Sequence, residues 1–227
     1  MVAIFVFLTF VLIISINLIV TKVREKRIPV FEEEAPVFDR EVFTKESIYV
    51  PQGIYYSSGH TWLDVNEEGR LRLGMDDFLN KIIKPQKISY KVEEGKKVKK
   101  GEPILEVITN HTKLNIYSPI DGYVYSVNRK VIDNINQLKE NPYKENWFLE
   151  IEPDDTKTAL TNLRIGREVI GWMKNEVNRF KDLLTHFSPK PSLVGATLYD
   201  GGNILEGVVR FLDDSSLKKF EEEFMKV

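Results

Sequence analysis

The chain is 227 residues long, enough for one or two domains with a buried core; 42% of its residues are hydrophobic and 29% are charged. Its formal net charge of -2, from 32 basic and 34 acidic side chains, provides no bulk positive field for phosphates, so no nucleic acid partner is expected. It contains no cysteine, which excludes disulfides, cysteine nucleophiles and cysteine-ligated metal or iron–sulfur centres.

The N-terminal segment Val2–Val20 is uncharged and almost entirely apolar. As a helix it spans roughly 29 Å at about 1.5 Å per residue, close to the hydrocarbon thickness of a bilayer. No basic residue precedes it and no small-x-small cleavage site follows, which favours an uncleaved anchor over a signal peptide. Basic residues from Lys22 to Arg27 follow. By the positive-inside tendency, we expect a single-pass protein of the cytoplasmic membrane, with a transmembrane helix at 1–21 and its C-terminal domain facing the cytoplasm.

The next two regions differ in composition. Residues 22–46 are rich in charge, contain Pro29 and Pro36 and show no helical or alternating period, which predicts a charged tether. From Ile48 to Pro153, short β-branched and apolar runs are separated by glycine turns roughly every ten residues. This spacing is typical of a small all-β sandwich or barrel.

Helical periodicity occurs twice. Apolar residues recur at helical spacing over 75–83, behind the possible caps Asp76 and Asp77. After Pro153, a period near 3.6 residues predicts a long amphipathic helix at 163–187. Glu176 is assigned to the charged outer face of that helix, whose mixed charges indicate that the helix packs on protein rather than on anionic lipid.

The C-terminal pattern predicts one hairpin and one short helix. The turn residues 200–203 separate apolar runs at 193–199 and 204–212, which is typical of a β-hairpin. Ser215 or Ser216 is then expected to cap a final helix that ends near Lys226.

Several landmarks follow one another in a specific order within the β-rich segment. They are Gly59-His60-Thr61-Trp62, the segment Leu73–Phe78, the glycine turns within Val92–Glu102, Tyr117–Gly122, and Asn141-Pro142-Tyr143 followed by Trp147. In this order they resemble the H protein of the glycine cleavage system. The resemblance implies a mainly β, lipoyl-type β-barrel (a barrel-sandwich hybrid) at 47–155, in which His60 and Trp62 belong to the fold. Residues 156–227 are left as an α+β extension.

The resemblance also identifies a modification site. In this family a lysine at the tip of a β-hairpin carries lipoic acid through an amide, and counting back without gaps from Tyr117 places that position on His111. An imidazole cannot form this amide. Lys113 becomes an acceptor only if the hairpin turn is displaced, because a slip of one residue reverses the facing and a slip of two restores it. We therefore expect no cofactor, with lipoate on Lys113 as the alternative.

Two other carrier-like classes fit less well. A biotin carrier places its acceptor lysine between two methionines, and no methionine occurs between Met75 and Met173. Periplasmic adaptors combine a membrane helix with a lipoyl-like domain, but they insert a helical hairpin where this chain has only the tight turn 108–114. A periplasmic adaptor-like protein is therefore the third interpretation, after a non-lipoylated interaction module and a lipoyl carrier.

No catalytic or metal-binding constellation is expected. The histidines His60, His111 and His186 are far apart and near no nucleophile motif. The paired aspartates at 76–77, 154–155 and 213–214 fall at element boundaries, where aspartate caps helices and turns. The sequence therefore predicts neither an enzyme nor a metal site.

These observations predict a membrane-anchored, non-lipoylated, H-protein-like interaction or scaffold module. Val2–Val20 would hold a protein partner, part of a membrane-associated or cytoplasmic complex, at the membrane. The alternative is a lipoyl carrier of glycine-cleavage type modified at Lys113.

Overall fold

Twelve short strands and six α-helices form the part of the chain that the computed structural model describes, residues 41–187, 198–199 and 203–227. The strands are β1 (Val42–Phe43), β2 (Tyr55–Tyr56), β3 (Thr61–Val65), β4 (Leu71–Met75), β5 (Lys87–Tyr90), β6 (Lys97–Val98), β7 (Pro103–Thr109), β8 (Thr112–Tyr117), β9 (Gly122–Val127), β10 (Leu149–Pro153), β11 (Leu198–Tyr199) and β12 (Asn203–Leu205). The helices are α1 (Asp77–Ile83), α2 (Lys130–Asp133), α3 (Ile135–Glu140), α4 (Thr156–Thr161), α5 (Arg167–Phe187) and α6 (Asp214–Phe220). Short 3-10 helices occupy Lys144–Asn146 and Val208–Phe211, and α6 continues into a π-helical turn, Glu221–Met225.

The strands form three antiparallel sheets. The largest has the order β2-β3-β4-β10-β9-β6, a second has β5-β7-β8, and the third has β1-β12-β11. The mainly β fold is therefore confirmed, but the predicted closed barrel is wrong for the described strands, because each strand order ends on an unpaired edge. Closure needs one continuous ladder. Here β7 pairs with β5 and with β8, and neither hairpin strand joins the six-stranded sheet.

Trp62 is the largest side chain buried inside the six-stranded sheet. It lies opposite Gly74 on the neighbouring strand, and a Cβ at Gly74 would lie 2.6 Å from Trp62 Nε1. The indole N–H donates to the carbonyl of Pro142 at 2.9 Å. The ring therefore fits because residue 74 has no side chain, and Trp62 belongs to the fold as the sequence predicted.

The helix predicted at 75–83 is present as α1. Asp76 caps it, and its Oδ1 accepts a hydrogen bond from Leu79 N at 2.9 Å. Lys84 ends the helix in the left-handed conformation, with φ 49. One of the two expected caps is thus confirmed, and the cap residue also contacts the candidate site described below.

The long amphipathic helix is present as α5, but it begins at Arg167 rather than 163, because Gly166 has φ 78 and interrupts the helical backbone. Its apolar side packs on protein, as predicted. Phe180 meets Phe78 of α1 edge-on, at 6.0 Å between ring centroids, and also contacts Phe220 and Phe224. The outer-face assignment of Glu176 is wrong, because this carboxylate is 5% exposed and lies on the buried side of α5.

The C-terminal hairpin is shorter than the sequence suggested. β11 pairs with β12, which also pairs with β1, and the chain leaves the ladder at Gly207 (φ 68) to form the 3-10 turn. Residues 188–197 and 200–202, which include the first five residues of the predicted run 193–199, lie outside the described residues. Asp213, rather than Ser215 or Ser216, caps α6, since its Oδ1 accepts from Ser216 N at 2.8 Å.

The predicted membrane localisation is corrected. Within residues 41–187 and 203–227, no helix is long and apolar enough to cross a bilayer. The long amphipathic helix α5 buries one face in the protein core instead. The segment Val2–Val20 and residues 22–40 of the predicted tether 22–46 lie outside the described residues. The described end of that tether is part of the fold, because Val42–Phe43 form β1 and pair with β12.

Candidate functional site

The tip of the β7–β8 hairpin is a two-residue turn formed by Asn110 and His111, with Thr109 and Thr112 paired at its base. Asn110 has φ 52, a left-handed conformation that asparagine tolerates better than most residues. Gln86 holds this turn: its Oε1 accepts from Asn110 N at 2.8 Å, and its Nε2 donates to Asn110 Oδ1 at 3.2 Å. These contacts fix the register of the tip.

The two candidate acceptor residues occupy different positions. His111 is exposed in the turn itself, whereas Lys113 lies inside β8 and pairs with Ile108. The Lys113 side chain is 65% exposed, and its Nζ lies 3.7 Å from Glu106 Oε2. The turn is therefore not displaced by two residues, and Lys113 stands on the flank of the hairpin.

The C-terminal segment contacts the same hairpin. Glu221 Oε1 accepts hydrogen bonds from Asn115 N, from Asn115 Nδ2 and from Tyr117 OH, each at 3.0 Å. Because β8 is an edge strand, its outward N–H groups need such acceptors. Nothing in the sequence pairs Glu221 with Asn115, so sequence reasoning missed this contact.

A second polar cluster lies buried beneath α5. His60 is fully buried, and its Nδ1 lies 2.7 Å from Asp76 Oδ2. On the other side of the ring, Nε2 lies 3.5 Å from Glu176 Oε2, and Glu176 is itself bound by Arg179 at 2.7 Å. Trp172 stacks on the imidazole at 5.0 Å between centroids. The cluster thus joins the start of β3, the cap of α1 and the middle of α5.

The charges of this cluster are set by burial and by its partners. Burial disfavours the protonated ring, but the charges of Asp76 and Glu176 and the hydrogen bond with Asp76 outweigh it and raise the pKa of His60 to about 9. Burial raises the pKa of Glu176, yet the contacts with His60 and Arg179 prevail and lower it overall. Burial raises the pKa of Asp76, although its contact with His60 opposes this rise. At neutral pH the cluster therefore holds a protonated imidazole beside the Glu176 carboxylate, closed off from solvent, an arrangement that suits a structural contact.

One feature of the sequence indicates the burial of Glu176 in this cluster. Glu176 follows Met173 by three residues and precedes Phe180 by four, which places a carboxylate within the apolar stripe of α5. A charge on such a stripe needs a buried partner. His60 is the partner, and its assignment to the fold is confirmed by its burial.

The remaining chemistry-bearing residues do not converge. Over the described residues, no group of three His, Asp or Glu side chains is arranged to hold a metal ion. His111 lies at the exposed tip, and His186 lies near the end of α5, where its Nδ1 is 2.7 Å from Asp182 O. Asp155 and Asp213 cap helices, as expected for aspartates at element boundaries.

The amino-acid sequence is similar to those of known proteins. The family profile described as "Glycine cleavage H-protein" matches residues 54–176, more than half of the chain. A "Probable glycine cleavage system H protein" of Pyrococcus abyssi is 30% identical over 126 residues, which cover 56% of this chain and 93% of that protein. A "Glycine cleavage system H protein 2" of Aquifex aeolicus is 28% identical over 139 residues, covering 57% and 81%.

A solved structure is also similar. The crystal structure of a glycine cleavage system H protein from Mycobacterium marinum aligns with a TM-score of 0.48 at 23% identity, over 54% of this chain and 98% of that chain. The family match ends inside α5, at residue 176. The rest of α5, the third sheet's strands β11 and β12, and α6 therefore lie beyond it.

Proposed function

Since this chain belongs to the glycine cleavage H-protein family, we propose that it is an H-protein-fold interaction module that binds a protein partner and carries no lipoyl group. The observation that carries the proposal is the identity of the tip turn, Asn110-His111. Neither side chain offers a primary amine, so the turn does not fit a lipoyl amide.

The position of Lys113 also supports the proposal. A carrier arm needs an acceptor projecting from the turn. Lys113 instead lies one residue inside β8, and its ammonium is within ion-pair distance of Glu106. The contacts between Gln86 and Asn110 hold the register that keeps it there.

Without a lipoyl arm, the protein would act through its binding surfaces. The C-terminal segment beyond the family match contacts β8 through Glu221, next to the tip. The buried His60 cluster fixes α5, and hence this segment, on the H-like sheets. An extension that packs beside the tip suits a module that binds another protein. The imidazole of His60 is buried and therefore not accessible to a substrate, so no enzyme activity is proposed.

Mass analysis of the full chain tests the proposal. We would purify the protein from its own host, measure its intact mass, and sequence the peptide that contains residues 110–115. The expected result is an unmodified Lys113. A lipoyl group on Lys113 that disappears in Lys113→Arg would contradict the proposal and identify a carrier.

A gain-of-function variant provides the matched control. His111→Lys places a primary amine in the turn, where the family carries its acceptor, and co-expression with a lipoate ligase should then give modification at position 111. Lys113 in the same protein serves as the internal reference. Modification of wild-type protein under the same conditions would show that the tip is competent without the substitution and would overturn the proposal.

A further inference from the structure

A groove of about 460 Å³ lies between the hairpin tip and α6. Three cationic side chains line it from three different elements: Lys113 from β8, Arg210 from the 3-10 turn and Lys218 from α6. Leu212 and Leu217 supply apolar surface beside them. Cations that converge from separate elements around apolar surface are typical of a binding site for an acidic ligand with an apolar neighbour.

Two of these three cations have no ion pair with a carboxylate of the described residues. Among the ion pairs of the described residues, Arg210 and Lys218 have no carboxylate partner, and Lys113 shares Glu106 with Lys91 at 3.7 and 3.6 Å. Glu221 lines the groove but is engaged with β8 through three hydrogen bonds. Asp214, in the first turn of α6, is the other carboxylate that lines the groove.

The edge of β8 already receives one carboxylate, that of Glu221 at Asn115 N. Along an antiparallel edge, the N–H groups of alternate residues point the same way. The N–H of Lys113, two residues nearer the tip, therefore points to the same outer edge, beside Arg210 and Lys218. The groove thus offers a second carboxylate position on this edge.

We propose that this groove binds an acidic side chain from an extended segment of a protein partner. The cationic side chains and the Lys113 N–H take the carboxylate, and the leucines contact apolar residues that flank it. A free inorganic anion would leave the leucine surface uncovered, so a peptide fits this lining better. The inference rests on the proposed function, because it names the chemistry of the partner.

Fluorescence anisotropy on the full-length protein tests this inference. The probe is a fluorescein-labelled peptide of alternating glutamate and valine, and the matched probe replaces each glutamate by glutamine. We expect saturable binding of the glutamate peptide only. Arg210→Glu and Lys218→Glu should each weaken it by about tenfold or more, because each removes one charge-assisted contact and adds repulsion.

Lys96→Glu is the charge-matched control, since Lys96 is exposed in a loop and does not line the groove. Its affinity should equal that of the unsubstituted protein. Arg210→Gln removes the charge without reversing it, so it disturbs folding less than Arg210→Glu and should still weaken binding. Melting temperatures of all variants are compared with that of the unsubstituted chain.

The inference would be overturned by the absence of saturable binding, by equal binding of the glutamine peptide, or by an equal loss of affinity in Lys96→Glu. Binding of inorganic phosphate without binding of the acidic peptide would also overturn it, by revealing a small-anion site. Failure of the proposed function is detected differently, as a lipoyl mass on Lys113. The anisotropy is therefore measured on protein whose intact mass shows Lys113 to be unmodified, so that the two failures can be distinguished.

Discussion

His60 and Glu176 approach to 3.5 Å between Nε2 and Oε2, where the residue that precedes β3 meets the middle of α5. With Asp76 on the other side of the ring, this contact places a titratable group at the junction between the H-like sheets and the long helix. The stability of that junction should therefore depend on pH.

The first prediction concerns alkaline pH. The pKa of His60 rises from its usual 6.5 to about 9 in the folded state, so folding takes up a proton. The stabilisation is fully present below about pH 6.5 and is lost as the pH rises through 9, with an upper size of roughly 3 kcal/mol. Urea unfolding between pH 6.5 and 9.5 measures it. His60→Gln should flatten this slope, and an equally steep slope in that variant would contradict the assignment.

The second prediction concerns the aromatic cluster. Phe180→Ala removes a fully buried ring that contacts Phe78, Phe220 and Phe224, and should lower the free energy of unfolding by about 3–5 kcal/mol. Ile170→Ala on the same helix is the control, because Ile170 is 46% exposed. Similar losses in both variants would show that α5 does not dock through Phe180.

Some of this packing could be read from the sequence and some could not. The 3.6-residue period predicted α5, and the position of Asp76 predicted the cap of α1, because both signals are local. The burial of Glu176 was not predicted, because charged residues on a helix are normally solvated and its partner His60 lies far away in sequence.

The third prediction concerns the contact between the C-terminal segment and β8. Glu221→Ala removes the acceptor for Asn115 N, Asn115 Nδ2 and Tyr117 OH, and should destabilise the segment by about 1–3 kcal/mol. Faster amide exchange at Asn115 is the local readout. Glu222→Ala, one residue along and exposed, should leave exchange at Asn115 unchanged. Unaltered exchange in Glu221→Ala would refute the contact.

The fourth prediction uses two glycines. A methyl group at Gly74 collides with the ring of Trp62, whereas one at Gly171 in α5 meets no atom within 4 Å. Gly74→Ala should therefore destabilise by about 1–3 kcal/mol, and Gly171→Ala should stabilise by about 0.5–1 kcal/mol through helix propensity. Thermal unfolding of both variants decides it, and a melting temperature that does not fall in Gly74→Ala would mean that the indole lies elsewhere.

The hairpin turn could be predicted from the sequence, whereas the pairing of the strands into sheets could not. The tight turn at 108–114 was recognisable, and the structure refines it to Asn110-His111. The partner of each strand was not recognisable, because alternation reports which face is buried and not which neighbour is paired. That is why a closed barrel was expected where open sheets occur.

The Glu221 contact has a consequence for self-association. β8 ends its sheet, and an uncovered strand edge is a template on which a second copy of the chain can add a strand. A carboxylate on the Asn115 N–H occupies one of the few donors that such an addition would need, and the π-helical turn stands in the path of an approaching strand. By covering the edge at Asn115, the C-terminal segment opposes the pairing of a second strand at this position.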